Sequence, residues 1–76
     1  MNNNVANLRG EYMKTRSELE FYVLQSNNLE HLEILNHMFD AEDRIELSLL
    51  SFTSELIEFY TSRISTLRSH IITLQL

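Results

Sequence analysis

The strongest pattern of apolar and polar positions lies in the second half of the chain. From Ile45 onward, Leu49, Phe52, Leu56, Tyr60, Leu67, Ile71 and Leu74 follow one another at helical steps. A second line, Leu50, Ile57, Ile64 and Ile71, repeats every seven residues beside it. One stripe serves a simple two-stranded contact, whereas two adjacent stripes predict a helix that touches two or more neighbours, as in a bundle. The opposite face reads Ser48, Ser51, Glu55, Glu58, Ser62, Ser65 and Ser69. Every member is small or charged, so this face is expected in solvent.

The first segment carries a thinner stripe of Val5, Leu8, Tyr12, Leu19 and Tyr22, with a seven-residue gap across Thr15 and Arg16. Gly10 weakens a helix there by about 1 kcal/mol relative to alanine. Phe21 to Leu24 is a continuous apolar run with β propensity, but a lone strand has no partner, so a helix over about 5–25 is predicted after a disordered start at 1–4. Ser26-Asn27-Asn28 is the best break, and Asn27 followed by Glu30 has the spacing of a capping box. A second helix is expected over about 29–75. No glycine or proline enforces a stop in it, so an unbroken helix is favoured over a break near Asp40, where Asp40-Ala41-Glu42-Asp43 has the look of a helix start. Arg63, Arg68 and His70 suit the negative end of that helix's dipole. The fold class is therefore all-α, a single domain over residues 1–76: a helical hairpin of two long helices, or three helices if the break near Asp40 exists.

Composition sharpens this. A 76-residue chain buries only about 60–65% of its unfolded surface, so a supplement to the core is expected. The chain has no cysteine, which removes disulfides and thiolate metal sites. Association with other chains is what remains, and a homodimer forming an antiparallel coiled coil or four-helix bundle is the favoured form. In plan, the chain resembles small helical hairpins that dimerise into four-helix bundles; no motif ties it to a family. No stretch reads as a membrane span, since Leu56 to Leu76 is interrupted by Glu58, Arg63, Arg68 and His70, and the Met-Asn-Asn-Asn start lacks the order of a secretory leader. A soluble, cytoplasmic protein is expected.

Candidate chemistry is sparse. Glu33, His37 and Asp40 are the one set at converging helical spacing, and such surface groups more often stabilise the helix than hold a metal, so no metal or cofactor is expected. The serines and threonines after residue 47 lie mainly on the polar face, and a single glycine leaves no phosphate-cradling loop. No catalytic residue is assigned and no enzyme is expected. Phe21, Tyr22, Phe39, Phe52, Phe59 and Tyr60 read as core and interface anchors rather than base-stacking platforms. The expected function is a protein-protein interaction module, an adaptor, regulator or small chaperone that self-associates and docks a partner. Its interface is expected at Leu49, Phe52, Leu56, Phe59, Tyr60, Ile64, Leu67, Ile71 and Leu74. The alternative is a nucleic-acid-binding bundle using Arg9, Lys14 and Arg16, which the net charge of −5 disfavours.

Overall fold

The computed structural model describes residues 3–76, and among these the chain is all helix and connection. Helix α1 spans Asn3–Ser26, α2 spans Leu29–Leu49 and α3 spans Thr53–Gln75. The expected disorder at 1–4 does not extend to Asn3 and Asn4, which are in the first turn of α1; residues 1 and 2 lie outside the described residues.

Each connection has a local cause. Asn27 adopts φ 53°, the left-handed conformation that asparagine tolerates better than most residues. Asn28 then caps α2, its Oδ1 accepting a hydrogen bond from the His31 backbone N–H at 3.2 Å. The cap is thus Asn28 with His31, one residue beyond the predicted Asn27–Glu30 pair. The second connection corrects the sequence reading more substantially. The chain does not run as one helix over 29–75, nor does it break near Asp40, which stands inside α2. It reverses at 50–52, where Phe52 leaves helical geometry at φ −120° and ψ 84° and its N–H donates to the Leu49 carbonyl at 2.8 Å. A 47-residue helix is about 70 Å long, while the folded chain measures 41 Å along its longest axis. Reversal brings the apolar stripe of α3 back onto α1, and that burial overrides the absence of a helix breaker.

Side-chain contacts fix the directions. Arg9 and Tyr12 reach Glu46 and Glu42, and Tyr60 and Arg63 reach the same two carboxylates, so α2 runs antiparallel to both other helices. Glu11 pairs with Arg68 and Tyr22 with Gln75, so α1 and α3 run parallel. The result is an up-down-up three-helix bundle in which α1 and α3 make the closest backbone approach. Its core holds Tyr12, Leu19 and Val23 from α1, Leu35 and Phe39 from α2, and Leu56, Tyr60, Ile64, Leu67 and Ile71 from α3. The gap in the α1 stripe is filled: Thr15 is buried, its hydroxyl donating to the Glu11 carbonyl at 2.7 Å. The serine-rich face of α3 is exposed throughout, as expected. No basic residue stands in the last turn of α3; Arg63 and Arg68 serve cross-helix pairs instead of the dipole.

Candidate functional site

The stripe that buries α2 is Leu35, Phe39, Glu42 and Glu46, at steps of four, three and four. Half of it is charged, and the two carboxylates stand in the middle of the bundle. Glu42 accepts from the Tyr12 hydroxyl at 2.7 Å and from Arg63 Nε at 2.5 Å. Glu46 accepts from the Tyr60 hydroxyl at 2.5 Å and from Arg9 Nε at 3.1 Å. Arg16 donates to the Tyr12 oxygen at 3.1 Å and to Asp43 at 2.6 Å, and its guanidinium lies 4.2 Å from the centre of the Phe39 ring. Among the described residues no buried side-chain polar atom lacks a partner.

The electrostatics follow from that enclosure. Burial, and next the hydrogen bond to Glu42, push the Tyr12 hydroxyl well above its ordinary value. Burial and the bond to Glu46 push Tyr60 up to about 12. Burial pulls Arg16 down, but Asp43 and Tyr12 outweigh it and hold the guanidinium above its usual range. Both tyrosines are thus neutral hydrogen-bond donors at physiological pH. The cluster joins all three helices and sets their register; its carboxylates Glu42 and Glu46 are buried, while Arg9 and Asp43 at its ends reach solvent.

An accessible apolar face runs along the seam of α2 and α3, and Phe21, Leu24, Leu47, Leu50 and Ile72 are exposed elsewhere. On α2, Ile34, Met38, Ala41, Ile45 and Leu49 form a stripe at steps of four, three, four and four, beside the buried one. Ile34 is 58% exposed and Ile45 47%. Phe52, 55% exposed, stands at the corner between the two helices, and Leu74 flanks the other end. Near that end the helices leave a groove of about 190 Å³ whose lining includes Leu19, Val23, Ile34, Leu35, Met38 and Leu74 together with His31 and His70. A second groove, between α1 and α3, is bridged by the Arg68–Glu11 pair.

The nine expected interface positions divide between interior and surface. Leu56, Tyr60, Ile64, Leu67 and Ile71 are buried in the chain's own core and are not free for a partner. One chain hides them because the reversal at 50–52 folds α3 back onto α1 and α2. Leu49 and Phe59 are half-buried, and Phe52 and Leu74 stay exposed. The apolar face of α2 lay outside the expected interface, although Ile34, Met38, Ala41 and Ile45 carry a readable helical spacing. Glu42 and Glu46 were also missed as interior groups. Their signal was phase, since Leu35 and Phe39 continue onto them at helical steps.

Two of the three candidate nucleic-acid cations are engaged within the protein: Arg9 by Glu46 and Arg16 by Asp43. Lys14 is exposed. Glu33, His37 and Asp40 are exposed, and among the described residues no group of three or more histidine or acidic side chains is arranged to hold a metal ion. No described helix is long and apolar enough to cross a membrane. No protein-family model, curated protein or solved structure matches the chain.

Proposed function

We propose that this chain is a non-enzymatic protein-protein interaction module, an adaptor, regulator or small chaperone that docks a partner on the seam of α2 and α3. The observation that carries this reading is the uncharged stripe from Ile34 to Leu49, continued by Phe52 and left half in solvent, which unlike the exposed Phe21, Leu24, Leu47 and Ile72 runs unbroken along a helix beside an apolar groove. The largest apolar patch on a small monomer is often functional, whereas exposed leucines scattered singly are ordinary. The expected interface moves from the centre of α3 to its flank and to α2. A polar centre whose buried atoms are all paired supports a structural task for Glu42, Glu46 and the tyrosines rather than catalysis. The pairing of Arg9 with Glu46 and of Arg16 with Asp43 offsets two of the three cations on which the nucleic-acid alternative rests.

The face is tested with the apolar dye 1-anilinonaphthalene-8-sulfonate on the native full chain, diluted until it sediments as a monomer so that no second copy covers the face. Fluorescence enhancement under native conditions is expected, with most of it lost in Ile34→Gln/Ile45→Gln at unchanged helicity. A native chain that gives no enhancement overturns the reading.

A further inference from the structure

The apolar face carries an internal symmetry that bears on what covers it. Its groove is centred near Ile34, and its one protruding aromatic, Phe52, lies 18 positions further on, roughly 27 Å at helical rise. The midpoint falls between Ala41 and Ile45. A two-fold axis there sets Phe52 of each copy opposite the Ile34 groove of the other, and the small Ala41 opposite the larger Ile45. A knob and a groove placed on one surface in this way are self-complementary, which is the requirement of an isologous interface. The groove's 190 Å³ suits one aromatic ring, since an apolar cavity of about 150 Å³ holds benzene.

Phe52 itself departs from local preference. It occupies the N-cap of α3 and makes no side-chain cap hydrogen bond, at a position where serine, threonine, aspartate or asparagine is the stabilising choice. A residue that breaks a local rule while exposing an aromatic ring marks a role beyond the monomer. Area agrees. With fully exposed large side chains taken as roughly 150–250 Å² each, the exposed fractions along the face leave on the order of 400–500 Å² of apolar surface per chain. A standard interface of about 800 Å² per partner, roughly 56–65% apolar, uses that amount. Since the stripe holds no charged residue, two copies meet without burying an unpaired charge.

We infer that the docking face takes a second copy of this chain, α2 against α2 in antiparallel fashion, with each Phe52 seated in the other copy's groove. The inference rests on the docking reading above and names its partner. Sedimentation of the full chain across the micromolar range is expected to show a dimer. Ala41→Glu and Phe52→Ser are expected to give monomers of native helicity, and Ser62→Glu, on the exposed polar face, to stay dimeric. Phe52→Ser guards against misfolding as an explanation, because serine suits the N-cap. Mixing Ala41→Cys with Ile45→Cys chains under mild oxidation is expected to yield a mixed disulfide, in a background free of cysteine. A wild-type monomer throughout this range overturns the second-copy inference, while dye binding that depends on Ile34 and Ile45 keeps the docking reading intact. A dimer that ignores both Ala41→Glu and Phe52→Ser uses another face and overturns the inference. Intact dimers without the mixed disulfide also overturn it, because the axis then lies elsewhere.

Discussion

Glu42 shows how a single side chain decides the arrangement of this bundle. Its carboxylate is almost wholly buried and is answered by Tyr12 from α1 and Arg63 from α3. Removing one partner of such a group leaves charge uncompensated in the interior, at about 3–5 kcal/mol. Arg63→Met is therefore expected to destabilise by about that amount, and Glu42→Gln by less, about 1.5–3 kcal/mol, because glutamine still accepts from Tyr12. Urea unfolding of both variants checks the order; equal costs contradict it. The tyrosines add a pH dependence. Tyr60 is raised to about 12 by burial and Glu46, so between its unfolded value near 10 and that value the native state holds a proton that the unfolded chain has lost. Stability is then full below about pH 10 and falls as pH rises toward 12. Tyr12, raised by the same causes, acts in the same direction. Thermal unfolding from pH 9 to 12 is expected to show that fall, and Tyr60→Phe to make it shallower. A sequence pattern exposes Glu42 and Glu46 only through their phase with Leu35 and Phe39; their counter-groups lie 14 to 37 positions away on other helices, where no local spacing reveals them.

At the scale of elements, helices and their first connection were readable because their causes are local. Tyr12, Leu19 and Tyr22 marked the buried side of α1, and two asparagines marked its end. Gly10 sits in the exposed interior of α1 with nothing within 4 Å of the position a Cβ takes. Gly10→Ala is expected to stabilise by about 0.5–1 kcal/mol, read as a higher urea midpoint at unchanged slope; a lower midpoint contradicts the placement of that face in solvent. The reversal at Leu50 to Phe52 was not legible, because it contains no breaker and its N-cap has no capping side chain. Its cause is tertiary: Leu56, Tyr60, Ile64 and Leu67 are buried when α3 folds back, each worth roughly 1.5–3 kcal/mol, against a turn that disrupts only a few backbone bonds.

For the whole molecule, the apolar excess expected on α3 is not found, because a single chain hides that stripe. A continuous helix leaves the stripe of α3 uncovered, and the reversal removes that excess by making α3 the core of a three-helix bundle. The longest continuous apolar strip left open is the flank formed by α2, Phe52 and Leu74, beside more scattered side chains such as Phe21, Leu24, Leu47 and Ile72. The all-α class was set by composition and periodicity, while the location of the candidate surface depended on where the chain turns, and so passed beyond what spacing alone carries. Phe52 ties the scales together, since its ring disfavours the monomer's helix start and fills the proposed partner's groove. Thermal unfolding of wild type and Phe52→Ser across a wide range of protein concentration tests this directly. The account predicts that the wild-type midpoint rises with concentration, that the variant's does not, and that the variant is the more stable of the two when dilute. Two midpoints that are both independent of concentration contradict it.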